Sequence, residues 1–117
     1  MESIWPEFDI LTGLRGALNT IVSFSTNAKA ITTFLNGNHF TRLKGGVRQA
    51  FIERTDINKL FRSLASKCNA KIHYNGTEEY FKVGKYRVGL HNSSHGGGKT
   101  IHINYNNREK LYKIRSK

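Results

Sequence analysis

The run Tyr86-Arg87-Val88-Gly89-Leu90-His91, then Asn92-Ser93-Ser94-His95-Gly96-Gly97-Gly98-Lys99, then Thr100-Ile101-His102-Ile103-Asn104-Tyr105 decides the fold. Its middle closes on Gly98-Lys99-Thr100, as a nucleotide-binding loop does. Such a loop needs a further glycine five places before the last one, so that the backbone can wrap a phosphate. It must also leave a strand and open a helix, whose N-terminal N–H groups complete the cradle. Ser93 stands in the place of that glycine, and the residues after Thr100 alternate and are β-branched, as in a strand. A nucleotide-binding loop is therefore excluded, and the glycines join two strands.

Working outward, the same period of two recurs on both sides. Lys71-Ile72-His73-Tyr74, Glu79 to Gly84 and Lys110 to Ile114 are short strand candidates, set apart by Asn75-Gly76, Gly84-Lys85 and Asn106-Asn107. Before residue 70 the period is helical. Ile10, Leu11, Leu14, Ala17, Leu18, Ile21 and Val22 make one apolar face over residues 8 to 24. Ser25, Thr26 or Asn27 caps a second helix carrying Ala28, Ile31, Phe34 and Leu35, which Asn36-Gly37-Asn38 ends. Thr55 with Asp56 opens a third, with Ile57, Leu60, Phe61, Leu64 and Ala65 in one stripe. Between them, residues 39 to 55 have no sustained period and read as a loop, or as a loop leading into a strand over Val47 to Ile52. Helices followed by a meander predict an α+β domain with the helices on one face of a four- to five-stranded antiparallel sheet. One domain is expected over 1–117, with a helical part at 1–37 and a helix-plus-sheet part at 38–117.

Composition limits the partners. Nineteen Lys and Arg against eight Asp and Glu leave a formal net charge of +11 in 117 residues. Such a surface attracts polyanions, nucleic acid first, then an anionic membrane or an acidic protein. Apolar runs fall short of the ~20 residues of a membrane span, so none is expected. With one cysteine no internal disulfide can form, and Cys68 reads as a small buried residue near a helix end. His91 and His95 flank a glycine turn without a cysteine pair or a neighbouring carboxylate, so neither a metal nor another cofactor is expected.

Alternation sorts the strand residues by face. Ile72, Tyr74, Phe81, Val83, Val88, Leu90, Ile101, Ile103, Tyr112 and Ile114 turn toward the helices. Lys71, His73, Tyr80, Lys82, Arg87, Gly89, His91, Thr100, His102, Lys113 and Arg115 share the other face. Imidazoles on a basic surface suit metal-free RNA cleavage. A base takes the proton of a ribose 2′-OH, the oxygen attacks phosphorus, an acid protonates the leaving 5′ oxygen, and cations hold the charge of the transition state. His91 and His102 are the acid/base candidates, either in either role. Arg48, Arg87 and Lys113 are the first phosphate ligands, with Lys44, Lys99, Arg115 and His73 around them, and Thr100 and Ser94 supply orienting hydroxyls. The glycine turn brings Ser94, Lys99 and Thr100 beside His91 and presents backbone N–H groups to an RNA phosphate.

The order His91-Asn92-Ser93-Ser94, Gly96-Gly97-Gly98, Thr100-Ile101-His102-Ile103 and Tyr112-Lys113-Ile114-Arg115 resembles the C-terminal effector domains of bacterial polymorphic toxins, of contact-dependent inhibition and Rhs type, with the barnase, EndoU, colicin and RelE fold. Gly45-Gly46-Val47-Arg48 and Leu60-Phe61-Arg62-Ser63-Leu64 are similar to that family's middle section, so the likeness spans residues 38 to 117. His91, Ser93, Ser94 and Thr100 fall on family positions, and that of His91 is often an arginine. The resemblance implies a monomeric RNase domain, commonly one that cuts tRNA. It further implies delivery within a larger secreted or cell-surface effector, action in the cytoplasm of the target bacterium, and neutralisation by a cognate acidic immunity protein. A non-catalytic RNA-binding module would use the same charges and tyrosines, and a basic scaffold for an acidic protein is a third reading.

Overall fold

A computed structural model describes residues 27–93, 97–107 and 111–117. Helix α1 spans Asn27–Asn36, strand β1 Thr41–Arg42, β2 Arg48–Ile52, helix α2 Ile57–Lys67, β3 His73–Tyr74, β4 Glu79–Val83, β5 Tyr86–Asn92, β6 Lys99–Tyr105 and β7 Tyr112–Ser116. A short 3₁₀ turn, Arg54–Asp56, leads into α2. The class is α+β, as expected. The predicted helix over residues 8 to 24 lies outside the described residues.

The sheet corrects the expected strand count and direction. Among the described residues it has seven strands in the order β1-β2-β7-β6-β5-β4-β3. β3 to β7 form the antiparallel meander that the alternation foretold, but β2 lies parallel to β7, with Ala50 opposite Ile114, and β1 folds back on β2. A two-residue strand such as β1 is too short to show a period. A parallel pair between β2 and β7 joins residues far apart in sequence, which no local pattern can announce.

One face of this sheet carries the core. Phe34 and Ile31 of α1, Leu60, Phe61 and Leu64 of α2, and Ile52, Phe81, Val88, Ile101 and Ile114 of the strands are buried together. Phe61 and Phe81 meet with ring centroids 5.5 Å apart. Each such side chain contributes roughly 1.5–3 kcal/mol by leaving water. Gly84 begins the β4–β5 turn at φ +58°, and a Cβ there would stand 2.9 Å from Ala28 Cβ, so only glycine admits α1 this closely.

α2 stops in a Schellman motif. Asn69 takes φ +53°, its N–H reaches Ser66 O at 3.0 Å, and Ala70 N–H reaches Ala65 O at 2.9 Å. Cys68 is the buried C-cap. Asp56 holds the N-cap position of α2, but its side chain makes no capping bond. Tyr74, expected to turn inward, is 71 % exposed, on a strand that lies at the edge of the sheet. Among the described residues no helix is long and apolar enough to cross a membrane.

Candidate functional site

The face away from the helices collects the polar residues in rows across the strands. Register sets His73 opposite Tyr80, Tyr80 opposite Gly89, Gly89 opposite His102, and His102 opposite Lys113. The next row holds His91 opposite Thr100 and Thr100 opposite Arg115, and on the other side Lys82 faces Arg87 and Arg87 faces Asn104. Seven expected site residues thus share one face.

At the centre stands a carboxylate. Glu78, just before β4, places Oε2 2.7 Å from an Arg87 guanidinium nitrogen and Oε1 3.0 Å from Nε2 of His102. Its position comes from the β3–β4 turn, where Asn75 Oδ1 accepts the N–H of Thr77 at 3.0 Å and that of Glu78 at 2.9 Å. Burial by itself would raise the Glu78 pKa. The hydrogen bond from Arg87 and the positive charges of His102 and Arg87 outweigh it and hold the carboxyl below its ordinary value. The side chain of Glu78 is 15 % exposed, that of Arg87 28 % and that of His102 only 6 %. Gly89 lies beneath them without a side chain.

His91 sits against this cluster, its ring centroid 4.9 Å from that of His102. Its Nδ1 lies 2.8 Å from the carbonyl oxygen of Asn92. A carbonyl only accepts, so Nδ1 carries a proton and Nε2 is the nitrogen open to other chemistry. Arg87 stacks over the Tyr80 ring, 4.4 Å from its centroid, and His73 stacks on Tyr80 at 5.4 Å. Thr100 is buried and bonded to Ser93 Oγ at 2.8 Å. Ser94, the other expected hydroxyl, lies outside the described residues.

The glycine turn is tied at its closing end. Ser93 N–H reaches Gly98 O at 3.0 Å, while Ser116 Oγ accepts the N–H of Lys99 at 3.0 Å and donates to Lys99 O at 2.9 Å. Gly98 has φ +93°, and a Cβ there would collide with Ser116 Oγ.

Two expected phosphate ligands stand elsewhere. Arg48 shares the side of β2 that buries Ala50 and Ile52, with its guanidinium 5.7 Å from the Tyr112 ring centroid on the helix side. The parity of β2 puts it there, and its loop does not fold over the sheet. Lys44 sits in the β1–β2 turn at the far edge. Lys113 and Arg115 stay on the open face, and Lys99 lies where β6 starts, at the sheet end near His91.

Chain comparison gives no match to any family model, curated protein or solved structure. What the site can do rests on its own geometry.

Glu78 was missed from sequence because it belongs to no strand and its partners lie on β5 and β6. The available signal was Glu78-Glu79 beside an Asn-Gly turn in a chain with only eight acids. Among the described residues no group of three or more His, Cys, Asp or Glu side chains is placed to hold a metal ion.

Proposed function

We propose that this chain is an endoribonuclease that cleaves RNA through 2′-OH attack without a metal cofactor, and that it is a toxin domain directed at tRNA. One observation carries the reading: a carboxylate gripped between Arg87 and a buried histidine, with the His91 ring against that histidine, on a face that also bears Lys113 and Arg115.

Glu78 accepts the proton of the ribose 2′-OH. The 2′ oxygen forms its bond to phosphorus as the bond to the 5′ oxygen breaks, and Nε2–H of His91 protonates that leaving oxygen. The products are a 2′,3′-cyclic phosphate and a free 5′-OH. While His91 is doubly protonated, Asn92 O accepts from Nδ1 and holds the ring. Arg87 keeps donors beyond the one spent on Glu78, and with Lys113 it offsets the charge gathering on the phosphate oxygens. His102, buried behind Glu78, is a positioning residue. The net charge of +11 supports a polyanionic substrate. The resemblance to polymorphic toxin effectors supports tRNA as that substrate and a cognate acidic immunity protein as the antidote.

The test is purified protein with total bacterial tRNA and EDTA on a denaturing gel, beside His91→Ala, Glu78→Gln and His102→Ala. Discrete fragments ending in cyclic phosphate, lost in the first two variants, are expected. Intact tRNA with binding retained would leave a non-catalytic RNA-binding module instead.

A further inference from the structure

His91 and Glu78 also line a second feature. A pocket of about 280 Å³ opens at the end of the sheet and is walled in addition by Arg62, Tyr74, Asn92 and Lys99. That volume is at the small end of ligand sites, suited to one nucleoside rather than a length of strand. Three elements build it: α2 supplies Arg62, the β3 edge Tyr74, and the β5–β6 strand ends the rest.

Its chemistry is uneven in an informative way. Tyr74 is the most exposed large apolar side chain among the described residues at 71 %, yet its hydroxyl donates to Gly76 O at 3.0 Å, which holds the ring over the turn. A fixed, exposed aromatic ring is what a nucleobase stacks on. Lys99 and Arg62 bring positive charge, the latter shared with Glu79 at 3.0 Å. The Asn92 amide offers a donor and an acceptor for a base edge. His91 and Glu78 share this lining, so a nucleotide seated here would have its phosphate within reach of them.

We propose that this pocket is the subsite for the nucleoside on the 5′ side of the cut bond, its base stacked on Tyr74 and its 3′-phosphate toward His91. The inference rests on the ribonuclease reading for the direction of the strand, but its binding is measured apart from cleavage. Nucleoside 3′-monophosphates contain no diester to cut. Isothermal titration calorimetry of the intact chain with each of the four, and with inorganic phosphate, should find at least one nucleotide bound tenfold or more tighter than phosphate. Tyr74→Leu, at a position too exposed to support the fold, should weaken that nucleotide about tenfold and leave inorganic phosphate unchanged. Equal affinities for nucleotide and phosphate, or a nucleotide affinity untouched by Tyr74→Leu, overturn the subsite. Nucleotide binding of this kind with no cleavage of tRNA removes the nuclease reading, and with it the assignment to a cut bond, and leaves a nucleotide-binding pocket. Cleavage whose KM ignores Tyr74→Leu removes the subsite alone.

Discussion

Gly89 stands directly opposite His102 in the β5–β6 ladder, and the imidazole fills the space that a side chain at Gly89 would need. A Cβ there would lie 2.8 Å from His102 Nε2 and 2.5 Å from Glu78 Oε1, the two atoms that face each other across 3.0 Å. The backbone at Gly89 is ordinary strand, so what matters is close approach and not a special dihedral.

Gly89→Ala should therefore push Glu78 and His102 apart. Overpacking of this kind costs about 1–3 kcal/mol. Urea denaturation should show that loss, and tRNA cleavage should fall at least tenfold in protein that is still folded. A variant with full activity would mean that the Glu78–His102 contact plays no part in catalysis.

Glu78→Gln keeps the shape of the side chain and removes its charge. Loss of a positioned general base lowers rate by about 10²–10⁴-fold, so kcat should drop in that range while KM moves little. Asn75→Ala, which removes the acceptor that holds the Thr77 and Glu78 amides, should reproduce a milder form of the same defect.

The Glu78 carboxyl also sets a pH dependence of stability. Its folded-state pKa lies below the ordinary 4.5. Its contribution is therefore complete above the unfolded value and lost as pH falls through the lower folded one. Urea midpoints should hold steady from neutrality to about pH 5 and decline below that. Glu78→Gln should flatten part of this acid limb, and an unchanged limb would place the acid-sensitive groups elsewhere.

Lys113 and Arg115 share the open face with the cluster. In a His91→Ala background, where cleavage does not interfere, removing either should reduce the slope of log affinity against log salt by about 0.7 per lost phosphate contact on single strands. Lys44→Ala, at the far sheet edge, serves as the comparison and should change the slope less.

Cys68 is fully buried at the end of α2, and burial pushes its thiol up to about 11. A thiol reagent at pH 8 should label it at least a hundredfold more slowly in native protein than in urea. Rapid native labelling would contradict the packing of α2 against the sheet.

Much of this molecule was legible in its sequence, and the boundary of what was legible has a physical cause. Alternation over residues 79 to 116 named the meander, because a half-buried strand writes its two faces into successive residues. The helical stripes of Ile31, Phe34 and Leu35 and of Ile57, Leu60, Phe61 and Leu64 named α1 and α2 for the same reason at a longer period. Parity alone put His73, Arg87, His91, His102 and Lys113 on one face. Other features were settled only by pairing between distant segments. β2 joined β7 in parallel and carried Arg48 to the helix side. Tyr74 was left bare on an edge strand, and Glu78, from a turn, was drawn between Arg87 and His102. Local periodicity reports which way a side chain points relative to its neighbours in the chain. Which residue from another strand it meets is decided by register and strand order, and those exist only once the sheet has formed.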